Sequence, residues 1–243
     1  MTDLHVHTTY SDGRSTPEEV VQAAIAKGMT TLGFSDHSYT HFDTAYCIPE
    51  EKIPAYRAEI EALKALYAGQ IEILCGIEQD FYSEESTEGY DYVIGSVHYV
   101  KAGEKYLPVD ESRQALLRAV REAFSGDFYA LAEAYYQTVA LVAEKLQPTI
   151  IGHFDLISKF NEDGKLFDET HPRYVAAWQA AADRLLKAEI PFEINTGAVS
   201  RGYRTAPYPA APIREYLANR GARFLWSSDS HRADTLCFGF PND

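Results

Sequence analysis

Six histidines and three carboxylates carry the most informative chemistry in this sequence. His5-Val6-His7 is an H-x-H pair, and on a strand alternate residues point to the same face, so both imidazoles can reach one cation. Asp36-His37, Glu78, His98, His153 and Asp229-Ser230-His231 follow, each within or at the end of a short apolar run, and Asp12 sits in the first loop. Each group alone has an ordinary explanation. A single strand-end histidine is commonly a hydrogen-bonded structural residue, and Asp12-Gly13 reads as a turn. Unrelated structural residues, however, have no reason to gather at the same end of successive strands. Nine donors (His5, His7, Asp12, His37, Glu78, His98, His153, Asp229 and His231) exceed the three or so protein ligands that one catalytic ion takes. They therefore point to two or three divalent ions, and mixed imidazole and carboxylate donors suit Zn, Mn or Fe. Such a centre supports hydrolysis, because a bound cation makes water acidic enough to react near neutral pH and can clamp a phosphoryl group.

Elements must bring these residues together. Seven apolar runs, Asp3–His7, Thr31–His37, Ile71–Asp80, Tyr92–His98, Thr149–Asp155, Pro191–Gly197 and Arg223–His231, read as buried parallel strands. Helical signals alternate with them. Thr16-Pro17-Glu18-Glu19 is a capping box with proline at the first helical position, and helical patterns cover Ile60–Tyr67, Leu116–Phe124, Leu131–Leu146, Tyr174–Ala188 and Ile213–Asn219. Strand–helix repetition implies right-handed βαβ units. Seven strands without a G-x-G-x-x-G or phosphate-loop motif favour a distorted (βα)7 TIM-like barrel over a doubly wound sheet. In a barrel, chemistry sits at the C-terminal strand ends, where the donors lie. One domain over residues 1–243 is expected, with Ser38–Glu50 and Ser83–Tyr90 as its main loop excursions.

The 243 residues carry 22 Lys+Arg against 36 Asp+Glu, a formal net charge of −14. That balance disfavours a nucleic-acid polymer or an anionic membrane surface as partner and leaves a small anionic substrate open. Cys47, Cys75 and Cys237 are odd in number and far apart, which fits a reducing, cytoplasmic setting; no run is long enough to span a membrane, and the N-terminus lacks a signal-peptide pattern. A phosphate ester needs cationic donors, and Lys159, Arg201 and Arg204 follow polar or donor-bearing strand ends. His41 and Asp155 are candidates to protonate the leaving alcohol, with Asp155 equally able to orient a ligand histidine. Ser96, Ser158 and Ser230 lack a triad setting, which disfavours a covalent serine mechanism.

His5-Val6-His7-Thr8, Asp12-Gly13, Asp36-His37, Glu78, Gly95-Ser96-Val97-His98, Gly152-His153 and Asp229-Ser230-His231 together resemble the motif series of the PHP (polymerase and histidinol phosphatase) superfamily, in order and over essentially the whole chain. The resemblance is closest to its monofunctional histidinol-phosphate phosphatases. It implies a distorted seven-stranded barrel and a trinuclear site. In that site His5, His7, Glu78 and Asp229 hold one ion, Glu78 bridges to a second held by His98 and His153, and Asp12, His37 and His231 hold the third. It also implies that the segment resembling Glu193–Arg204, including Asn195, contributes to substrate binding. The activity implied is hydrolysis of L-histidinol phosphate to L-histidinol and phosphate in histidine biosynthesis, with Asp43 or Glu193 available to receive the substrate amine. The alternative within the superfamily is a nucleotide phosphatase or 3′–5′ exonuclease acting on small nucleotides. A carbon–nitrogen hydrolase of the amidohydrolase kind would favour eight strands and fewer ligands, and a non-catalytic module would be expected to have lost some of the nine. Relatives usually continue past the last motif with a further helix, whereas this chain ends at Phe240-Pro241-Asn242-Asp243; a less well closed barrel, or cover from a second subunit in a homo-oligomer, is expected there.

Overall fold

The computed structural model describes residues 1–241, so Asn242 and Asp243 of that terminal segment lie outside the described residues. The strands are β1 (Thr2–Asp3), β2 (Thr31–Phe34), β3 (Glu72–Asp80), β4 (Tyr92–Ser96), β5 (Tyr99–Ala102), β6 (Lys105–Pro108), β7 (Ile150–Ile151), β8 (Phe192–Asn195) and β9 (Phe224–Ser227). Seven of them pair in parallel in the order β1-β2-β3-β4-β7-β8-β9, while β5 and β6 form a separate antiparallel hairpin. A parallel bridge between Val6 and Ser230 spans the seam between the first and last strands. There His7 N–H donates to the Ser230 carbonyl at 2.8 Å and Ser230 N–H to that of His5 at 3.1 Å. The result is the TIM-like seven-stranded barrel expected from the alternating pattern.

Helices cover the outside: α1 (Pro17–Ala26), α2 (Ile53–Leu66), α3 (Arg113–Ala123), α4 (Phe128–Val139), α5 (Val142–Leu146), α6 (Pro172–Leu185), α7 (Gly197–Ser200) and α8 (Ala211–Ala218). The capping box at Thr16 forms: its hydroxyl accepts from Glu19 N–H at 3.3 Å, and the Glu19 carboxylate accepts from Thr16 N–H at 2.8 Å. Two apolar layers hold helices to the barrel, one under α1 and α2 around Val20, Tyr56 and Ile60, the other under α3, α4, α6 and α8 around Leu131, Tyr136 and Trp178. Inside the barrel, Tyr92 packs with Ile94 and Ile150, and its hydroxyl donates to the carbonyls of Leu4 at 2.7 Å and Phe34 at 2.9 Å.

Apart from β3, which keeps Glu78 within its ladder, the donor-bearing strands are shorter than the apolar runs, and the difference falls mainly on their donor-bearing ends. His5, His7, His153 and Asp229 lie beyond the last paired residues of their strands, where the chain leaves the ladder. Asp229 adopts φ 47°, the left-handed region that side chains other than glycine enter only when their surroundings enforce it. The run expected as one helix over Leu131–Leu146 is two helices, broken at Ala140 and Leu141. The β5–β6 hairpin was not foreseen, because it interrupts the strand–helix alternation. No described helix is long and apolar enough to cross a membrane.

Candidate metal centre

Alternation along the strand ends turns one or two donors of each donor-bearing segment into the barrel mouth, and Glu78 sits at its middle. Its Oε2 lies 2.9 Å from His37 Nδ1, 3.2 Å from His5 Nε2 and 3.6 Å from His7 Nε2, and its Oε1 lies 2.8 Å from His153 Nε2 and 3.4 Å from His98 Nε2. Asp229 Oδ1 is 3.3 Å from His7 Nε2 and 3.5 Å from His231 Nδ1. Asp12 Oδ2 is 3.2 Å from His231 Nε2, and its Oδ1 is 3.7 Å from His37 Nε2. Among the described residues, three sets offer donor atoms within 4.8 Å of one another: His7, Asp12, His37 and His231; His5, His7 and Asp229; and His37, Glu78 and His98. All nine expected ligands therefore converge. The grouping differs from the implied one: His7 also reaches the Asp12 set, His37 also reaches Glu78, Glu78 is outside the set of His5, His7 and Asp229, and His153 joins through its contact with Glu78 alone.

These donors fit cations. Buried polar atoms in proteins are almost always hydrogen-bonded, yet His5 Nε2, both ring nitrogens of His7 and Glu78 Oε2 make no hydrogen bond. The electrostatics fit as well. Burial disfavours charge on Glu78, but the imidazoles of His5, His37, His98 and His153 around it outweigh that and hold its carboxyl well below the usual range. Burial likewise opposes charge on Asp229, and Arg201 and His5 reverse the balance. Burial, with His231 and His37 nearby, pushes His7 down to about 3, leaving it neutral with a free lone pair at physiological pH.

A second layer orients the ligands. Glu193 takes His5 Nδ1 on one oxygen and the His153 backbone N–H at 2.8 Å on the other. Asp80 lies 3.2 Å from His98 Nδ1 and accepts the His98 backbone N–H at 3.1 Å. Carboxylates in this role fix ring orientation and raise ligand basicity. Asp36, a strand-end carboxylate, is not among the donors: it accepts from Thr8 N–H at 2.8 Å, Thr8 Oγ1 at 2.9 Å and Ser11, and so shapes the loop that presents Asp12. Asp80 and Glu193 escaped notice as supports. The signal was present, because Asp80 alternates with Glu78 on β3 and Glu193 with Asn195 on β8, so each pair shares a face.

A cavity of about 560 Å³ opens over the centre, with Asp12, His37, Glu78, His98, Asp229 and His231 on its floor. Lys159 and Arg201 line it, as expected of phosphate-side cations, but both are paired. Lys159 Nζ donates to the Asp110 carbonyl at 2.8 Å and lies 3.2 Å from its carboxylate. Arg201 Nη2 donates to Asp229 Oδ2 at 3.0 Å, and its Nη1 lies 2.8 Å from His231 Nδ1.

Four other candidates lie away from the cavity, and none of them lines it. Arg204 is buried behind it, donating to Ser158 and 3.5 Å from Glu162, and ties two loops together. Asn195 is buried too, donating to Glu193 at 3.1 Å and accepting from Gly197 N–H at 2.9 Å, so it braces the ligand layer. His41 lies exposed, edge-on to Phe42 and Tyr106. Asp155 is fully buried and accepts the Ala210 N–H at 2.9 Å. Glu193, engaged with His5 and His153, is likewise removed as an amine acceptor, whereas Asp43 lines the cavity.

The PHP domain model matches residues 3–197. A Deinococcus radiodurans protein named "probable histidinol-phosphatase" is 31% identical over 250 residues, covering 98% of this chain and 89% of the relative. A Listeria monocytogenes crystal structure superposes with a TM-score of 0.82 at 19% identity, covering 99% of this chain and 98% of that one. A Lactococcus lactis histidinol phosphate phosphatase, crystallised with zinc, L-histidinol and phosphate, matches with a TM-score of 0.64 at 21% identity over 96% of this chain and 86% of that one. With its strand-end donors, its seven-stranded barrel and this match over most of its length, the chain belongs to the PHP domain family.

Proposed function

We propose that this protein is a divalent-metal-dependent phosphomonoesterase that hydrolyses L-histidinol phosphate to L-histidinol and phosphate, a reaction of histidine biosynthesis. The observation that carries this reading is the convergence of nine histidine and carboxylate donors, several with buried unbonded atoms, beneath a cavity large enough for a small ester. The curated name of the Deinococcus relative and the ligands of the Lactococcus structure point to the same substrate. We assign His5, His7, Glu78 and Asp229 to one ion, Glu78, His98 and His153 to a second, and Asp12, His37 and His231 to a third, with zinc, manganese or iron as the metals the donor set suits.

When bound, such ions supply Lewis-acid polarisation of the phosphoryl group and acidify water for the attack. The chain's own residues do the rest. Glu193 and Asp80 fix the ring faces of His5 and His98, so that the other nitrogen of each ring is turned toward Glu78, and Glu193 also holds the His153 backbone N–H. Arg201 holds the Asp229 carboxylate and the His231 ring in one orientation. Lys159 and Arg201, both cavity cations, are already paired with Asp110 and Asp229, so the chain's own side chains would leave most of a phosphate dianion's charge to be met by cations held at the nine donors. The free thiols of Cys47, Cys75 and Cys237 suit the reducing cytoplasm in which such a biosynthetic enzyme would work. Phosphate release by the purified protein is expected to show kcat/KM for L-histidinol phosphate at least about a hundredfold above that for nucleoside monophosphates, well within the roughly 10⁴-fold discrimination that unpaired polar groups impose on a wrong substrate. Comparable values would overturn the substrate assignment.

A further inference from the structure

One wall of the cavity carries no metal donor. Asp43 and Tyr46, from the segment after β2, and Tyr99, at the start of β5, line it. The Asp43 carboxylate is held at both oxygens: Tyr99 Oη donates to Oδ2 at 2.8 Å and Ala45 N–H to Oδ1 at 3.2 Å. Neither partner is a cation, so its charge is not cancelled as that of Asp110 is by Lys159. The Tyr46 ring stands edge-on to His37 at 4.9 Å and lies 6.2 Å from Tyr99, which places aromatic surface directly beside the ligand layer. Behind them Phe42 stacks on Tyr106 of β6 at 3.8 Å and meets Tyr99 edge-on at 4.9 Å, which fastens this loop to the hairpin.

The ring order sets this wall apart from the cationic one. Asp43 and Tyr46 follow β2, and in the order β1-β2-β3-β4-β7-β8-β9 the strands before Lys159 and Arg201, β7 and β8, both stand three places from it, the greatest separation a seven-membered ring allows; Tyr99, which follows β4, joins this wall through its hydrogen bond to Asp43. The mouth is thus asymmetric: its guanidinium and ammonium groups are each matched by a carboxylate, whereas the Asp43 carboxylate, beside two phenol rings, pairs with no cation among the described residues. A carboxylate beside aromatic faces binds an organic cation by charge-assisted hydrogen bonding and cation–π attraction.

We propose that Asp43, with Tyr46 and Tyr99, forms the specificity subsite for the cationic organic end of the phosphate ester. It selects amine-bearing monoesters over neutral ones while the phosphoryl group sits over the metal centre. This rests on the phosphomonoesterase reading above and deepens it. Tyr99 acts on Asp43 as a positioning residue as well as lining the wall.

The test compares the metal-loaded wild-type enzyme with Asp43→Asn and Tyr99→Phe on L-histidinol phosphate, O-phosphoethanolamine and glycerol 2-phosphate. In Asp43→Asn the ratio of kcat/KM for either amine ester to that for glycerol 2-phosphate is expected to fall at least tenfold, mostly through KM, and Tyr99→Phe is expected to lower it about threefold. An unchanged ratio in Asp43→Asn, whatever the overall loss, would overturn the subsite. Calorimetric binding of L-histidinol decides the matter if turnover is lost on all three esters. A tenfold or greater loss of affinity in Asp43→Asn supports the subsite, and wild-type affinity overturns it. If the wild-type enzyme ignores L-histidinol phosphate yet shows an Asp43-dependent preference for O-phosphoethanolamine, the histidinol assignment fails and the subsite stands.

Discussion

At the scale of single residues, donor identity was readable because the chemistry demands it. A divalent ion accepts few residue types, and His5, His7, His37, His98, His153 and His231 recur where a barrel displays its chemistry. What the sequence hid was direction. Asp36 and Asp155 have the same chemistry as Asp12 and sit beside ligand histidines, but one turns to the neighbouring loop at Thr8 and the other into the core. A one-dimensional pattern carries no information on which side of the wall a loop residue falls. Asp155 has a measurable consequence. Burial, only partly offset by Arg204, pushes its carboxyl up to about 6. Between pH 4 and 6 the folded protein therefore keeps a proton that the unfolded chain, with an ordinary carboxyl, has released. Linkage then makes stability fall as pH rises through that window and level off above it. A tenfold change in proton affinity is worth about 1.4 kcal/mol, so the stability of wild type relative to Asp155→Asn is expected to drop by at most about 3 kcal/mol from pH 4 to pH 7. Denaturant unfolding at several pH values checks this; a difference independent of pH would contradict it.

At the scale of elements, the seven strands were found because each pairs a short apolar run with turn residues, but their ends were overextended. The ladder stops where side chains must converge on ions instead of facing neighbouring helices, so β7 keeps only two paired residues before His153. The hairpin of β5 and β6 was missed because period-two signals of four residues resemble loop, yet it supplies the Tyr99 wall. Close contacts between elements also constrain residue size. A Cβ on Gly197, at the start of α7, would meet Asp229 Oδ2 at 2.5 Å and its Cβ at 2.7 Å. Its backbone lies outside the left-handed region, so alanine there is conformationally free and the damage is local. Gly197→Ala is expected to displace the Asp229 carboxylate, lowering metal content and reducing kcat at least about tenfold, the lower end of the loss seen when groups that orient metal ligands are disturbed. Metal analysis beside steady-state kinetics checks this, and a fully loaded, fully active variant would contradict it.

At the scale of the whole molecule, the net charge of −14 does not describe the metal-loaded site proposed for it. Asp12, Glu78 and Asp229 are the only carboxylates among the nine proposed ligands, and with three divalent ions the centre carries +6 − 3 = +3 if its histidines are neutral, so an acidic protein can present a positive mouth to a phosphate dianion. The acidic exterior that disfavours polyanions thus leaves a small phosphate ester free to bind. The central claim is that hydrolysis depends on several ions held at the barrel mouth. Its most direct test strips the protein with a chelator and follows phosphate release from L-histidinol phosphate as zinc, manganese or iron is titrated back. Activity is expected to vanish on stripping and to return until two to three equivalents are bound. Full activity in the stripped protein, or complete recovery with a single equivalent, would contradict the account.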